Sequence, residues 1–245
     1  MGAWGTELQT WAQKELEDAG ISPRSDNPAL PAPVTLPPLV LVPDLVDRLW
    51  PHANHSLVDG ICTHSAAAFA KYSFRDYNEI ADFMAQVSEE TGGGTVLEEN
   101  LNYSAPRLCQ VWPAMFPTLA AATPFAMNPR LLAAKVYGSR LGNRPGTDDG
   151  WVFRGRGLIQ LTGRANYERI GKYAGLDLTE APETVCAPAT TLQCACAYWA
   201  LAGANKYADA LDFAGETRLI NGAETNLDLR QEWRITWRRA LGLKD

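Results

Sequence analysis

The hydrophobic positions of the chain recur mainly at helical spacing. Ile80, Phe83, Met84 and Val87 follow the i, i+3, i+4, i+7 pattern of an amphipathic helix. A glycine triplet at 92–94 comes next, and glycine supplies the left-handed backbone conformation that ends a helix. The pattern therefore predicts a helix that ends at this triplet.

The same spacing predicts further helices along the chain. Pro43 suits the first turn of a helix that runs through Leu49. The other predicted helices cover residues 57–70, 104–117 with a break at Pro113, 129–139, 164–174, 188–202, 205–213 and 227–241. No alternating run of β-branched residues is long enough for a sheet. We therefore expect a mainly α fold with irregular loops, and with room for one hairpin near the triplet.

The first 43 residues differ in composition from the rest. Residues 6–19 favour a short helix, and residues 23–43 contain seven prolines, so that segment is expected to be extended. The composition predicts a boundary at which residues 1–43, an N-terminal helix with a proline-rich linker, precede a folded domain at 44–245.

Four glutamates lie around the glycine triplet: Glu89, Glu90, Glu98 and Glu99. Glu90 lies three residues after Val87 on the apolar face of the predicted helix, whereas Glu89 is turned toward water. A carboxyl group at an apolar helix edge loses hydration, which raises its pKa and suits it to donate a proton. The alternative is that these glutamates form a solvated surface at a helix end.

The pattern after the triplet alternates between apolar and polar residues. If residues 97–103 are extended, Glu99 shares one side with leucines and a tyrosine, and Glu98 faces the other side. Glu90 and Glu99 are therefore the pair predicted to face each other across the flexible turn. Inverting glycosidases hold a water between two carboxyl groups about 6.5–9.5 Å apart. The pair favours this chemistry.

A glycine-rich loop is predicted at residues 142–163. Apolar residues around Ile159 anchor it, and Gln160 and Thr162 alternate away from them, which would point both polar groups into one cleft. The loop lacks the GxxxxGK[ST] pattern of a phosphate loop. The alternative is a flexible connector.

The last predicted helix has an apolar and a basic side. Trp233, Trp237 and Leu241 recur at i, i+4 and i+8 and are predicted to belong to the core. Its polar side is basic and carries Arg230, Arg234, Arg238 and Arg239.

Charge and composition exclude several classes of protein. The net charge of −6 and the pI near 5.2 argue against duplex DNA or an anionic membrane as a partner. No apolar stretch is long enough to span a membrane.

The chain has five cysteines, Cys62, Cys109, Cys186, Cys194 and Cys196. Their odd number and the lack of a CxxC motif predict free thiols, and His52, His55 and His64 lack a metal-binding spacing.

Three segments resemble a known family: FRGRGLIQLTGRANYERIG at 153–171, LEENLNYSAPRLCQVWPAMFP at 97–117 and LINGAETN at 219–226. Together they resemble family-19 glycoside hydrolases, and most closely the bacterial and phage members called endolysins or predicted chitinases. The resemblance covers about residues 45–241. It implies a lysozyme-like, two-lobed helical domain with a central cleft, which makes 44–245 the catalytic domain. It also implies hydrolysis of β-1,4 bonds between N-acetylated sugars with inversion, by a monomer that needs no metal or organic cofactor.

The resemblance assigns roles to individual residues. Glu90 takes the place of the general acid, Glu99 that of the general base, and Thr162 matches the hydroxyl residue that helps to hold the attacking water. The implied substrate-binding residues are Gln160, Asn221, Tyr103 and Arg230. Glu89 replaces the histidine that precedes the acid in the family, which leaves the pH optimum and the full strength of the activity open.

The substrate is expected to be a polysaccharide. Peptidoglycan is preferred over chitin, which shares its β-1,4 N-acetylglucosamine unit. The same residues would also suit a lytic transglycosylase or a non-catalytic sugar-binding homologue.

No signal peptide is visible. We therefore expect an antimicrobial enzyme that is made in the cytoplasm and degrades the bacterial cell wall after release through a holin or another non-Sec route.

Overall fold

The structure is a computed structural model that describes residues 38–244. The predicted helix at 6–19 and most of the proline-rich segment at 23–43 lie outside the described residues. The domain boundary at residue 43 therefore stays a prediction.

Helices dominate the described part of the chain, which confirms the mainly α prediction. They are α1 Pro43–Leu49, α2 His55–Lys71, α3 Tyr77–Thr91, α4 Ala105–Val111, α5 Leu119–Ala122, α6 Pro129–Tyr137, α7 Asp149–Val152, α8 Arg164–Ala174, α9 Thr191–Ala202, α10 Asn205–Asp209, α11 Phe213–Asn221 and α12 Leu227–Ala240, with 3₁₀ turns at Thr123–Phe125 and Pro182–Cys186. Between residues 38 and 244, extended pairing is limited to isolated antiparallel bridges that join Arg156 to Glu98 and to Leu161.

Helix α3 ends at the glycine triplet, as its sequence predicts. The carboxylate of Asp76 accepts hydrogen bonds from the first backbone N–H groups of the helix. Gly92 ends it in the left-handed conformation, with φ of 56°. Gly94 also has a positive φ, and a Cβ atom there would lie 2.7 Å from the indole ring of Trp50. The triplet therefore allows both the helix end and the close packing beneath it.

Two hydrophobic clusters give the domain two lobes, which confirms the prediction of a two-lobed fold. The large lobe is built on α1, α2, α3, α8 and α9 together with residues 153–161. The small lobe is built on Leu101, Leu108, Phe116, Ala122, Leu132, Ala133 and Val136. The chain enters the small lobe through residues 97–103, directly after the triplet. Those residues therefore lie where the two lobes meet.

Most of the basic side of α12 faces α3 rather than solvent, although Arg239 is exposed. Arg234 Nε donates to Asp82 Oδ1 over 2.6 Å, and Arg238 Nη1 donates to Asn78 over 2.9 Å. From Arg234 to Arg238 the residue number increases by four, and from Asp82 to Asn78 the number of the partner decreases by four, because the two helices run antiparallel. Trp237 is fully buried, as predicted, and its indole N–H donates to Ser88 Oγ. Most of the basic side predicted from the sequence thus forms polar contacts between two helices.

The segment 205–221 differs from its predicted structure. The predicted helix at 205–213 ends at Asp209, because Leu211 takes a left-handed conformation with φ of 56°. Asp212 then caps α11, whose last residue is Asn221. The Asn221-Gly222 pair forms the end of this helix, with Gly222 in the left-handed conformation.

The cysteine prediction is confirmed, since all five thiols are free. Among residues 38–244, no helix combines the length and the apolar character needed to cross a membrane.

Candidate active site

Glu90 lies in the last turn of α3, at the edge of the large lobe. Its side chain is 16% exposed, and Oε1 accepts a hydrogen bond from Arg230 Nη2 over 2.6 Å. Arg230 is itself buried. The sequence predicted an apolar environment for this carboxyl group, and the structure places a guanidinium group against it instead, because α12 packs along α3.

A chain of buried hydrogen bonds holds Arg230 from behind. Arg230 Nη1 donates to Gln86 Oε1 over 2.7 Å, and Gln86 Nε2 donates to Glu216 Oε1 over 2.9 Å and to Thr217 Oγ1 over 3.0 Å. The guanidinium group therefore has a fixed orientation toward Glu90. Sequence reasoning missed Gln86, although it lies one helical turn before Glu90 and so shares its face.

Glu216 is a fully buried carboxyl group on α11 that sequence reasoning also missed. Burial, helped by the nearby charge of Asp82, raises its pKa to about 9 against the lowering effect of the Gln86 hydrogen bond. Its Oε2 atom has no hydrogen-bond partner among the described residues. Glu216 is therefore a neutral carboxylic acid at neutral pH, behind the arginine that holds Glu90.

We expect Glu216→Gln to change how stability depends on pH. The folded chain holds the Glu216 proton up to a pH of about 9, whereas the unfolded chain releases it near 4.5. Wild-type stability therefore falls as the pH rises through this window, and the glutamine variant loses that fall. The difference in the free energy of unfolding between Glu216→Gln and wild type is measured by urea unfolding at several pH values. Between pH 4.5 and pH 8 this difference should shift in favour of the variant by about 2–4 kcal/mol.

The exposed Glu232→Gln variant is the matched control, because it makes the same substitution outside the buried network around Glu216. A difference between Glu216→Gln and wild type that stays constant from pH 4.5 to pH 8 would contradict a buried neutral acid.

Glu99 lies in the extended segment where the lobes meet. Residues 97–103 alternate in exposure as predicted, with Glu99 half-buried and Glu98 exposed. Glu99 Oε1 accepts from Tyr137 Oη over 2.8 Å, and Oε2 accepts from the backbone N–H of Gly155 over 3.2 Å. Burial and the charge of Glu99 raise the pKa of Tyr137, which keeps the phenol as a donor. These two donors hold the carboxylate in place.

Gln160 and Thr162 lie beside Glu99. A Cβ atom at Gly155 would lie 3.0 Å from Gln160 Oε1, 3.3 Å from Thr162 Oγ1 and 3.4 Å from the Cβ of Glu99. Three of the residues singled out from the sequence therefore meet around one glycine, whose missing side chain leaves them room. The Thr162 hydroxyl donates to the backbone carbonyl of Gln160 over 2.9 Å, so its lone pairs are available to a donor such as water.

Glu98 faces away from Glu99, and it is tied to the protein by two buried arginines. Its Oε1 atom accepts from Arg156 Nε over 2.6 Å and from Arg154 Nη2. The backbone N–H of Glu99 also donates to the Gly155 carbonyl over 2.8 Å. Ion pairs on one face and backbone bonds along the edge thus fix the strand that presents Glu99.

The other residues singled out from the sequence occupy different environments. Tyr103 is half-buried, with its ring 5.4 Å from that of Trp112. Asn221 is exposed at the end of α11. Glu89 was predicted to point to water, but it is half-buried and accepts a hydrogen bond from Asn226 Nδ2 over 2.9 Å.

The site and the fold together define a class of protein. One carboxyl group is held by an arginine at the edge of the large lobe, and a second is held by two donors where the small lobe begins. Glycoside hydrolases use two carboxyl groups in this chemistry, so two carboxyl groups held at the edges of two lobes are compatible with this class.

Comparison with known proteins identifies the family. The family described as chitinase class I, glycoside hydrolase family 19, matches residues 56–212. A family 19 domain-containing protein of Haemophilus influenzae is 34% identical over 186 residues, which cover 75% of this chain and 88% of that protein. The acidic 27 kDa endochitinase of Solanum lycopersicum is 29% identical over 180 residues, which cover 68% of this chain and 59% of the endochitinase. The chain belongs to glycoside hydrolase family 19 and is a glycosidase.

Solved structures share the fold. Chitinase C from Streptomyces griseus superposes with a TM-score of 0.54 at 21% identity, covering 83% of this chain and 77% of chitinase C. A bacterial family 19 chitinase gives the same TM-score and identity, covering 84% of this chain and 97% of that enzyme. These likenesses confirm the lysozyme-like architecture.

Proposed function

We propose that the chain is an endolysin that hydrolyses the β-1,4 glycosidic bonds of peptidoglycan with inversion. The observation that carries the chemistry is the setting of Glu99, which is held by Tyr137 and Gly155 with Gln160 and Thr162 beside it. The resemblance of segments 97–117 and 153–171 to bacterial and phage endolysins supports peptidoglycan as the substrate. In this proposal the enzyme reaches the bacterial wall after release by a holin-type or other non-Sec route.

In the proposed reaction, Glu90 donates its proton to the glycosidic oxygen as the bond to the anomeric carbon breaks. The electrons of that bond leave with the oxygen, and positive charge develops on the sugar ring. Arg230 stabilises the carboxylate that Glu90 becomes, because its guanidinium group already lies 2.6 Å away. The arginine thus favours the product of proton transfer.

Water completes the proposed reaction on the opposite face of the sugar. Glu99 takes a proton from the water as its oxygen bonds to the anomeric carbon, and inversion follows from attack on that face. Thr162 orients the water, while Gln160 and Asn221 bind the acetamido sugars. Tyr103 completes the sugar contacts.

Chitin hydrolysis is the second candidate. The tomato relative is named as an endochitinase, and the Streptomyces griseus protein as a chitinase. Chitin and peptidoglycan both contain β-1,4-linked N-acetylglucosamine, so the same pair of carboxyl groups serves either substrate.

Product analysis separates these activities. Purified sacculi and chitin oligomers are incubated with the protein, and the products are identified by mass spectrometry. We expect muropeptides with reducing ends from sacculi. Soluble chitin oligomers without muropeptides would show a chitinase, anhydro-sugar ends would show a lytic transglycosylase, and no product from either polymer would show a sugar-binding homologue.

A further inference from the structure

The charges of the protein are unevenly divided along the chain. Segment 101–147, which contains most of the small lobe, has no acidic residue, although the whole chain has a net charge of −6. Its five basic residues are Arg107, Arg130, Lys135, Arg140 and Arg144. Arg130 and Arg144 form ion pairs with aspartates just beyond the segment. Across residues 38–244, no carboxylate lies within ion-pair distance of the other three, so the small lobe presents unneutralised positive charge.

Two of these cations lie near the tyrosines that face Glu99. Arg107 is exposed in the first turn of α4, and Arg140 is exposed just after α6. Burial and the negative charge of Glu99 raise the pKa of Tyr103, and the positive charge of Arg107 lowers it. The Tyr103 hydroxyl therefore interacts electrostatically with both side chains. Arg140 donates its backbone N–H to the carbonyl of Tyr137 over 3.0 Å, and the Tyr137 hydroxyl reaches Glu99.

Arg107 and Arg140 therefore each act electrostatically on a tyrosine that also experiences the charge of Glu99, on the small-lobe side of the site. Neither is needed to neutralise a carboxylate of the described protein, and both have exposed side chains. An exposed guanidinium group costs little to keep in water and forms two parallel hydrogen bonds with a carboxylate that approaches it. The arrangement suits an anionic ligand bound beside Glu99.

We infer that Arg107 and Arg140 are specificity-determining residues that recognise carboxylates carried by the glycan bound next to Glu99. The inference rests on the proposed function and extends it to a chemical feature of the substrate. The lactyl group of a muramic acid unit either ends in a free carboxylate or is joined to a stem peptide that carries carboxylates of its own. Chitin is neutral and offers the two arginines no partner.

Charges at the rim of a binding site act mainly on association, and their effect is screened by salt. The Arg107→Gln, Arg140→Gln double variant should therefore lose about tenfold in kcat/KM on an anionic glycan at low salt, as expected for two exposed ion pairs. It should keep wild-type kcat/KM, within about twofold, on a neutral chitin oligomer. The exposed Arg48→Gln variant on α1 of the large lobe is the matched control.

The experiment measures kcat/KM at low and high ionic strength on four soluble glycans. They are peptidoglycan strands with intact stem peptides, the same strands after an amidase has freed the lactyl carboxylates, neutral chitin oligomers and carboxymethylated chitin oligomers. Loss on stem-bearing strands alone identifies peptide carboxylates as the ligand, and loss on amidase-treated strands alone identifies the lactyl group.

The carboxymethylated oligomers separate this inference from the proposed function. If wild type fails to cleave peptidoglycan, the proposed function fails, yet a salt-sensitive loss by the double variant on carboxymethylated but not neutral chitin still supports carboxylate recognition. Equal losses on neutral and anionic chitin, or no loss on any anionic glycan, would overturn it.

Discussion

Replacing Glu90 by glutamine is expected to lower kcat by about 10²–10⁴-fold, the usual contribution of a general acid. The amide keeps the size of the side chain, and its carbonyl oxygen still accepts the hydrogen bond from Arg230 Nη2. It has no acidic proton to give to the glycosidic oxygen. The loss should therefore appear in kcat on natural oligosaccharides, together with a lower thermal unfolding midpoint, because the buried Arg230 loses its carboxylate partner.

The leaving group tests this assignment further. The nitrophenolate group of a nitrophenyl glycoside leaves without being protonated. The Glu90→Gln variant should therefore lose much less activity on this substrate than on an oligosaccharide. Glu89→Gln is the matched control, since its side chain is bonded to Asn226 rather than Arg230. Near wild-type cleavage of oligosaccharides by Glu90→Gln, or equal losses in the two variants, would show that Glu90 is not the acid.

Replacing Glu99 by glutamine should lower hydrolysis by a similar factor, about 10²–10⁴-fold. The amide cannot take a proton from water, although it fills the space between Tyr137 and Gly155. Product analysis by mass spectrometry should show the loss of new reducing ends. Continued release of anhydro-sugars by this variant would instead identify a transglycosylase, which needs only one acid.

A graded variant checks that the effect comes from the carboxylate. Tyr137→Phe removes one of the two donors to Glu99 and leaves the ring in the small lobe. Since a hydrogen bond to a charged group contributes about 1.5–3 kcal/mol, a loss of roughly 10–100-fold is expected, smaller than that of Glu99→Gln. Full activity in Tyr137→Phe would mean that this hydroxyl does not hold the reacting carboxylate.

Local sequence patterns determined much of the fold. The apolar spacing from Ile80 to Val87 predicted α3, and the glycine triplet predicted its end. Both signals are local, because the helical repeat and the left-handed conformation of glycine involve only residues close together in the chain. The alternation in residues 97–103 gave the opposite directions of Glu98 and Glu99 for the same reason. The predicted helix at 205–213 ends earlier, at Asp209, and the sequence missed this end because the left-handed turn at Leu211 has no glycine to mark it.

The sequence by itself thus determined most of the helices, the two lobes implied by the family and the residues that matter for the proposed chemistry. The tertiary structure alone decided their partners: Arg230 against Glu90, Gln86 against Glu216 and Tyr137 against Glu99. These pairs are separated by 38 to 140 residues, and no local period reaches so far. They form because burial of apolar surface packs α12 along α3 and closes the small lobe beside residues 97–103, which brings distant polar groups together.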